Sequence, residues 1–417
     1  MAGRLTVTVF LVLISGNSAW TEKLNYLPRI DARDGRFVQM PAGGAFYPRG
    51  FQYLRLRPDG GVYAFLPSAY DATAVETMFQ DLEGHGFNLV RVFFDESGVC
   101  DSQGLNPKLM DEFFDFLRRA TRHRVYVISV PHHLHPCAAY SPYLERARGE
   151  FGQGADIPYE NLRYMSKALI EGKCAYLRDF VGALKAEDPG LLRTLFAVEL
   201  ENESYFRLAG LLASAATDGP IVPATGARYN LADPADLQRM MDACAQTWAN
   251  ACVEAVRSVD PEMMVATSVF TFGAVGRSGP GNTHRDQTLD TRVPIRPLAL
   301  AKTKVSYIDV HFYVPNVAAQ PANLATIEFD ALRELCKTNG KPLFVGEIGA
   351  VMDHFQSPDL AAKKMPQLFR HLHDNGFQGY SYWTYDCHEQ PGVWNAKSND
   401  GVIFETIAAL KETLGRP

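Results

Sequence analysis

Short apolar runs alternate with longer stretches of helical periodicity along most of the chain. The runs are rich in β-branched and aromatic residues, and between them apolar residues recur every three or four positions, as on one face of a helix. The predicted strands span 46–56, 87–94, 124–130, 192–200, 263–270, 305–312, 342–345 and 379–384. Strands alternating with helices are typical of βα units around a parallel sheet, and eight units predict an α/β fold, the (β/α)8 TIM barrel.

The segments between these strands predict helices over 72–84, 107–123, 162–186, 234–259, 323–339 and 358–375, with 406–414 closing the chain. Gly86, Gly340 and Gly376 each stand just before a predicted strand, where a chain leaving a helix often needs a positive φ. The connections after strands 3, 4 and 5 are long, covering 138–161, 204–233 and 271–300. Long loops at the top of a barrel usually form binding sites.

Length and composition agree with one large domain. The chain has 417 residues, of which 47% are hydrophobic, enough for a substantial core. A basic start and an apolar stretch over 5–14 predict a secretory signal over 1–19, so we expect a secreted, extracellular or periplasmic protein with one barrel domain over 20–417. No other segment predicts stable membrane insertion. We expect a monomer.

The net charge of -6 and the pI near 6.0 show no basic excess, so nucleic acid is not expected as a partner. The seven cysteines of an exported chain permit disulfides but leave at least one thiol unpaired. Cys100, Cys137 and Cys387 each follow a predicted strand, and they either meet at the top of the barrel or stay isolated buried thiols. Cys244 and Cys252 lie too far apart along one predicted helix to be bridged.

Two carboxylates stand at the ends of apolar strands: Glu203 closes predicted strand 4, and Glu347 follows strand 7. Residues at the C-terminal ends of parallel barrel strands converge on one face. Two carboxylates there can cleave a glycosidic bond if one is protonated and the other ionised. A period of two would point Glu199, Glu201 and Glu203 to one face, so only the strand-end position and the neighbouring Asn202 single out Glu203.

Further polar and aromatic side chains stand at other strand ends. They are Arg91 on strand 2, His132 after strand 3, Asn202 beside Glu203, His311 and Tyr313 on strand 6, and Trp383 on strand 8. With the two glutamates, this set resembles glycoside hydrolase family 5, the cellulase A-like group within clan A of the glycoside hydrolases, over nearly the whole mature chain. The chain departs from the family pattern at Ser204, where proline is common, and at Val130, where aspartate is frequent.

The resemblance implies a retaining β-glycoside hydrolase acting on O-glycosidic bonds of a β-linked oligo- or polysaccharide of the β-mannan or β-glucan type. Glu203 is then the acid/base with a raised pKa, and Glu347 the ionised nucleophile, about 5 to 5.5 Å away. Tyr313 and Arg91 would hold Glu347, and His311 would tune Glu203. Asn202 would bind a sugar 2-hydroxyl, His132 would support the site, and Trp383 would stack on a sugar ring.

A carbohydrate is the expected partner, and no cofactor or metal is expected. Four aromatic residues in the long loops predict further sugar-stacking platforms: Tyr140, Tyr143, Phe206 and Phe272. Two other functions fit parts of the sequence. One is a non-catalytic carbohydrate-binding barrel that kept its cleft but lost turnover. The other is a zinc-dependent hydrolase using His133 and His135, although no third ligand is obvious.

Overall fold

The computed structural model describes residues 24–414, except 57–63, 67, 95–97, 152–156, 209–220, 284 and 287. The predicted signal over 1–19 lies outside the described residues. Each of the eight predicted strands corresponds to a strand of one parallel sheet. Barrel strands 1 to 8 are Arg49–Tyr53, Leu89–Phe93, Tyr126–Val130, Leu195–Glu199, Val265–Ala266 continuing as Ser268–Phe270, Ile308–His311, Leu343–Val351 and Phe377–Trp383.

Strand 5 closes the barrel. Val265–Ala266 pairs with strand 4 and Ser268–Phe270 pairs with strand 6, while strand 8 pairs with strand 1. The structure therefore confirms the predicted (β/α)8 barrel. Strand 7 is longer than predicted, since it continues beyond Glu347 and pairs at its end with Val393–Trp394.

Helices cover the outside of the sheet. The larger ones are Ala72–Gly84, Pro107–Arg122, Lys167–Glu187, Pro234–Val259, Phe329–Thr338, Pro358–Asp374 and Ser398–Ala408. Smaller α-helices are Ser141–Gly149, Tyr159–Met165, Pro297–Leu300, Gln320–Ala325 and Lys411–Leu414, and 3-10 turns lie at Leu191–Arg193, Phe272–Val275 and Val317–Ala319. In the described residues no helix combines the length and apolar character needed to cross a membrane.

Helix ends follow the predicted local chemistry, but three predicted helices differ. Pro107, Pro234 and Pro358 occupy first turns, and Gly86, Gly340 and Gly376 have the expected positive φ. The predicted helix 162–186 is broken because the Ser166 hydroxyl accepts the N–H of Leu169 and starts a new helix there. The predicted helix 323–339 is broken at Glu328, whose φ is 55°. The predicted closing helix 406–414 is divided between Ser398–Ala408 and Lys411–Leu414.

A small antiparallel sheet that the sequence pattern did not indicate precedes the barrel. Its strands are Ile30–Arg33, Arg36–Gln39 and Gly44–Phe46. Phe37 contacts Phe196, Tyr307 and Phe344 at ring-centroid distances of 5.0, 5.4 and 6.3 Å. These three partners lie at the N-terminal ends of strands 4, 6 and 7, so this sheet covers the bottom of the barrel and leaves its top face for the site.

Cys100 and Cys137 form a disulfide that links the loops after strands 2 and 3. Cys387 is a free buried thiol, so it does not join them. Cys244 and Cys252 are free as well, as their helical separation predicts. At the top of the barrel, Tyr205–Arg207 of the loop after strand 4 pairs with Arg292–Pro294 of the loop after strand 5.

Candidate active site

Glu347 lies within strand 7, where pairing with strand 8 shifts register between Val345 and Ile348. Arg91 Nη1 donates a hydrogen bond to Glu347 Oε1 at 2.8 Å, and the Tyr313 hydroxyl donates to Oε2 at 2.8 Å. The carboxylate is almost fully buried. Two donors, one of them charged, fix its orientation and favour its ionised form.

Arg91 is the centre of a buried network below the site. Its guanidinium donates to both carboxylate oxygens of Glu199, at 2.7 and 2.6 Å, and to Gln52 Oε1 at 2.9 Å. It also donates to Asn202 Oδ1 at 2.8 Å. Burial acts to lower the pKa of Arg91, but the charges of Glu199 and Glu347 outweigh it and hold this pKa above its ordinary value. Arg91 is therefore a permanent cation that aligns strands 2, 4 and 7.

Glu203 lies in the turn that follows strand 4, which ends at Glu199. The backbone of Glu203 has φ 47°, which is uncommon for a residue with a side chain. Its N–H donates to Ser268 Oγ at 2.9 Å, and the next N–H, of Ser204, donates to the Ser268 carbonyl at 2.8 Å. Ser268 thus holds the turn that presents Glu203, whose side chain is 25% exposed.

The period of two does not continue through the three glutamates of this segment. Strand alternation stops at Glu199, and the turn sends each carboxylate to a different partner. Glu199 pairs with Arg91, Glu201 lies 2.6 Å from His133 Nδ1, and Glu203 lies 3.2 Å from His311.

His311 lies between the two candidate catalytic carboxylates. Its Nδ1 is 3.2 Å from Glu203 Oε1 and 3.4 Å from Glu347 Oε2. One oxygen of each carboxylate and one nitrogen of His311 lie within 4.8 Å of one another. The structure therefore brings Glu203 and Glu347 together across the top of the barrel. One imidazole nitrogen, Nδ1 of His311, faces both carboxylates.

The two carboxylates are coupled through charge. Burial raises the pKa of Glu347, and negative charge on Glu203 raises it further, while the charges of His311 and Arg91 and the hydrogen bond from Tyr313 oppose this rise. The net effect in the free protein is a raised pKa.

The pKa of Glu203 shifts in the opposite direction. Burial acts to raise its pKa, but the hydrogen bond from His311 and the charges of His311, Arg292 and Arg91 outweigh burial and lower it. Burial disfavours the imidazolium of His311, yet Glu347 and Glu203 raise the His311 pKa overall. In the free protein these directions are the reverse of the expected ones, since the pKa is lowered at Glu203 and raised at Glu347.

Asn202 and Trp383 flank the carboxylates. Because Asn202 accepts from Arg91 through its amide oxygen, its amide nitrogen remains as the donor side of the group. Trp383 ends strand 8, donates through Nε1 to Gln390, and meets the ring of Phe93 edge to face at 5.9 Å. Its half-buried ring stands at the mouth of the barrel.

His132 belongs to a neighbouring cluster. Its Nδ1 lies 3.2 Å from Glu201 Oε1, and its ring lies against that of His133 at an interplanar angle of 35°, with centroids 3.8 Å apart. Burial acts to raise the pKa of Glu201, but His133, Arg163 and His132 hold it well below its ordinary value. The structure thus assigns His132 to a buried charge cluster around Glu201.

Of the two histidines in the zinc alternative, His133 groups with His132 and Glu201, with one possible ligand atom of each within 4.8 Å of the others, and His135 is not in that group. Arg163 Nη1 lies 2.6 Å from His133 Nδ1 and 3.4 Å from Glu201, so a cation already occupies this position. His135 is buried against the Tyr176 ring instead, with centroids 5.4 Å apart. A divalent ion at His133 would face the guanidinium at short range.

Arg292 is a site residue that sequence reasoning missed. Its guanidinium lies 4.0 Å from Glu203 Oε2, 4.9 Å from the Phe270 ring centre and 5.9 Å from that of Tyr205. Asp290 holds it through hydrogen bonds of 2.8 to 3.1 Å. Only the pairing of the loops after strands 4 and 5 brings Arg292 to this point, and no local motif indicates that pairing.

Three of the four loop aromatics predicted as sugar platforms are buried. Tyr140, Phe206 and Phe272 are buried in the core that the loops share with the barrel. Tyr143 is half-buried and packs against that core. The prediction is wrong for the three buried residues because the long loops fold into packed structure, and for Tyr143 it stays a prediction.

The protein is a (β/α)8 barrel that carries two carboxylates and their hydrogen-bond donors at the C-terminal ends of its strands. Residues 231–389 match the family model described as Cellulase (glycosyl hydrolase family 5). That stretch contains His311, Tyr313, Glu347 and Trp383, and the resemblance to glycoside hydrolase family 5 is thus confirmed. No curated protein matches the chain significantly.

Solved structures show the same fold at low sequence identity. An endo-1,4-β-mannanase from Rhizomucor miehei is 14% identical, with a TM-score of 0.57 over 92% of this chain and 100% of that one. An endocellulase from Pyrococcus horikoshii is 14% identical, with a TM-score of 0.55 over 94% and 99%. An endo-1,4-β-D-mannanase from Thermotoga petrophila is 14% identical, with a TM-score of 0.56 over 88% and 99%.

Proposed function

We propose that the protein is a retaining β-glycoside hydrolase that cleaves O-glycosidic bonds in a β-linked oligo- or polysaccharide of the β-mannan or β-glucan type. The observation that carries this proposal is the approach of one oxygen of Glu203 and one of Glu347 to within 4.8 Å. Retaining enzymes have their carboxyl groups about 5 to 5.5 Å apart, whereas inverting enzymes need a wider gap to admit water.

Glu347 is the proposed nucleophile. Arg91 and Tyr313 each donate to one of its oxygens, which aligns it and resists its protonation. In the first step its carboxylate attacks the anomeric carbon, the bond to the leaving oxygen breaks, and a covalent glycosyl-enzyme forms.

Glu203 is the proposed acid/base, and His311 is the source of its proton. A sugar bound above Glu347 excludes water, which disfavours the charged pair of imidazolium and carboxylate relative to its neutral form. The proton can then pass from His311 Nδ1 to Glu203 Oε1 across 3.2 Å, and from Glu203 to the leaving oxygen. Once Glu347 is esterified its negative charge is gone, so Glu203 stays ionised and can deprotonate the water that releases the product.

Asn202 and Trp383 are the proposed contacts to the sugar at the scissile bond. The Asn202 amide, oriented by Arg91, has a donor for a 2-hydroxyl, and the half-buried Trp383 ring offers a flat apolar face. His132 supports this region indirectly through Glu201, whose carbonyl accepts from Thr267 and Ser268 at 3.2 and 3.4 Å beside the Glu203 turn.

We also propose that residues 1–19 direct export and that 20–417 act as one monomeric domain. The Cys100–Cys137 disulfide supports an oxidising compartment, since disulfides are rare in reducing ones. N-terminal sequencing of the protein recovered from its native host would check the cleavage.

A panel of β-mannans, β-glucans and their oligosaccharides, with the product lengths resolved, tests the function and identifies the sugar. Glu347→Ala should abolish turnover, and azide should restore reaction on an activated aryl glycoside with inverted product configuration. Oligosaccharide binding without product from any glycan would instead support the non-catalytic barrel. Activity that chelation removes together with stoichiometric zinc would support the zinc hydrolase.

A further inference from the structure

Asp309 is a fully buried carboxyl beneath the site, on strand 6 and on the far side of His311 from Glu203 and Glu347. Its Oδ1 accepts the N–H of Gly346 at 2.7 Å. A Cβ at Gly346 would overlap both carboxylate oxygens of Asp309, so only glycine fits at this position. Asp309 therefore fixes the residue that immediately precedes Glu347.

The same carboxyl stands behind the His311 ring. Asp309 Oδ1 lies 3.9 Å from His311 Nε2, whereas His311 Nδ1 on the opposite side of the ring faces Glu203 and Glu347. One imidazole is thus enclosed by three carboxyl groups, from strands 6 and 7 and from the turn after strand 4.

Other charged and titratable groups complete these surroundings. Glu199 from strand 4 forms a group with Asp309 and His311 in which one atom of each lies within 4.8 Å of the others, and Arg91 from strand 2 pairs with Glu199. Tyr307, which immediately precedes strand 6, is also buried nearby.

We propose that Asp309 is a positioning residue that sets the protonation of His311, and through it the proton available to Glu203, while holding Gly346 and hence Glu347 in place. The catalytic part of this inference rests on the proposed function, but the coupling of Asp309 to His311 does not. Asp309 touches neither substrate nor reacting atoms, so it acts only through its neighbours.

The electrostatics agree with this arrangement. Burial, followed by the charge of Glu199, raises the pKa of Asp309 to about 7, against the opposing effects of His311, Arg91 and the Gly346 N–H. Asp309 also raises the pKa of His311, after Glu347 and Glu203. Asp309 and His311 thus influence each other's protonation, and such pairs titrate in two shared steps.

Asp309→Asn is the informative variant, because an amide oxygen can still accept from Gly346 while the charge is lost. Removing a negative charge lowers the pKa of each neighbour. We expect the His311 titration, followed by NMR of ¹⁵N-histidine and assigned with His311→Gln, to move to lower pH by on the order of one pH unit. The alkaline limb of kcat/KM on an aryl β-glycoside should move in the same direction.

Asp242→Asn is the matched control, since Asp242 is a largely buried carboxyl that pairs with Gln238 and Arg296 outside the site. It should leave the His311 titration unchanged. Asp309→Ala should lose activity beyond the shift in pH, because it also loses the acceptor for Gly346.

If Asp309→Asn does not fold, the titration of His311 in the wild-type protein tests the coupling instead. His311 should then show two steps, and a single step near the ordinary histidine pKa of about 6.5 would overturn the coupling. A shifted pH profile without a shifted His311 titration would also overturn it. A shifted titration in a protein that cleaves no glycan would reject the proposed function but keep the coupling of Asp309 to His311.

Discussion

Arg91 donates a hydrogen bond through Nη1 to Glu347 Oε1 at 2.8 Å inside the barrel, with no exposed surface on the guanidinium. The same guanidinium also holds Glu199, Gln52 and Asn202. Arg91 therefore connects the proposed nucleophile to the fold, and a change at this position should affect both activity and stability.

Arg91→Lys tests this connection. Lysine keeps the charge but lacks the planar fork, so it leaves several acceptors without donors. We expect kcat/KM to fall on the order of 100-fold or more, and the free energy of unfolding to fall by about 1–3 kcal/mol. Arg118→Lys in a partly exposed pair with Glu187 is the control and should change both quantities little. Wild-type kinetics in Arg91→Lys would contradict the proposed alignment of Glu347.

Glu203→Gln should separate substrates by their leaving groups. A glycoside with an alcohol leaving group needs a proton at the departing oxygen, and we expect its kcat/KM to fall by about 10²–10⁴-fold. An activated dinitrophenyl glycoside needs no such help and should lose far less in its bond-breaking step. Glu254→Gln, which alters an exposed carboxylate paired with Lys304, serves as the control. Equal losses on both substrates would argue against an acid role for Glu203.

Arg292→Gln should move the pH profile upward. Burial acts to raise the pKa of Glu203, while His311 and then Arg292 lower it, so removing the guanidinium lets this pKa rise. We expect the alkaline limb of kcat/KM to shift to higher pH, opposite to the shift for Asp309→Asn. Because Arg292 is 38% exposed, added salt should reduce the difference from wild type.

Arg239→Gln removes an exposed arginine that pairs with Asp236 and should leave the profile in place. An unchanged or lowered alkaline limb in Arg292→Gln would show that the guanidinium does not act on Glu203. A change in KM alone would assign Arg292 to substrate binding instead.

The Cys100–Cys137 disulfide should contribute to stability because its two cysteines are 37 residues apart in sequence. Closing a loop of this size removes unfolded-state entropy worth about 4 kcal/mol in the chain-entropy model, and measured values are typically about 2–4 kcal/mol. Replacing both cysteines by serine should lower the free energy of unfolding in urea by that amount. Cys387→Ser, at a free buried thiol, controls for the loss of sulfur. Equal midpoints for the oxidised and reduced wild type would contradict this.

The sequence predicted the barrel well because each strand has its own apolar run, and because proline and glycine residues mark many of the helix ends. It also placed Glu203, Glu347, Arg91, Tyr313 and His311 at strand ends that the closed sheet brings together. Such residues are predictable because the topology of parallel strands alone determines which ends converge.

The other features of the site could not be predicted from the sequence because they depend on packing between segments that are distant in the chain. Strand periodicity ends at Glu199, so it does not apply to the glutamates that follow. The pKa shifts of Glu203 and Glu347 depend on a histidine from another strand. Likewise, Phe206 and Phe272 appear in the sequence as loop aromatics, and only the folded loops show that they are buried.

The pairing of Tyr205–Arg207 with Arg292–Pro294 ties the loops after strands 4 and 5 into one unit. One of these strands follows Glu203 directly, and the other supplies the guanidinium 4.0 Å from that carboxylate. Exchanging either loop alone with that of another barrel would separate Glu203 from Arg292 and expose an unpaired strand edge. For protein engineering, the two loops are therefore a single cassette that must be transferred together.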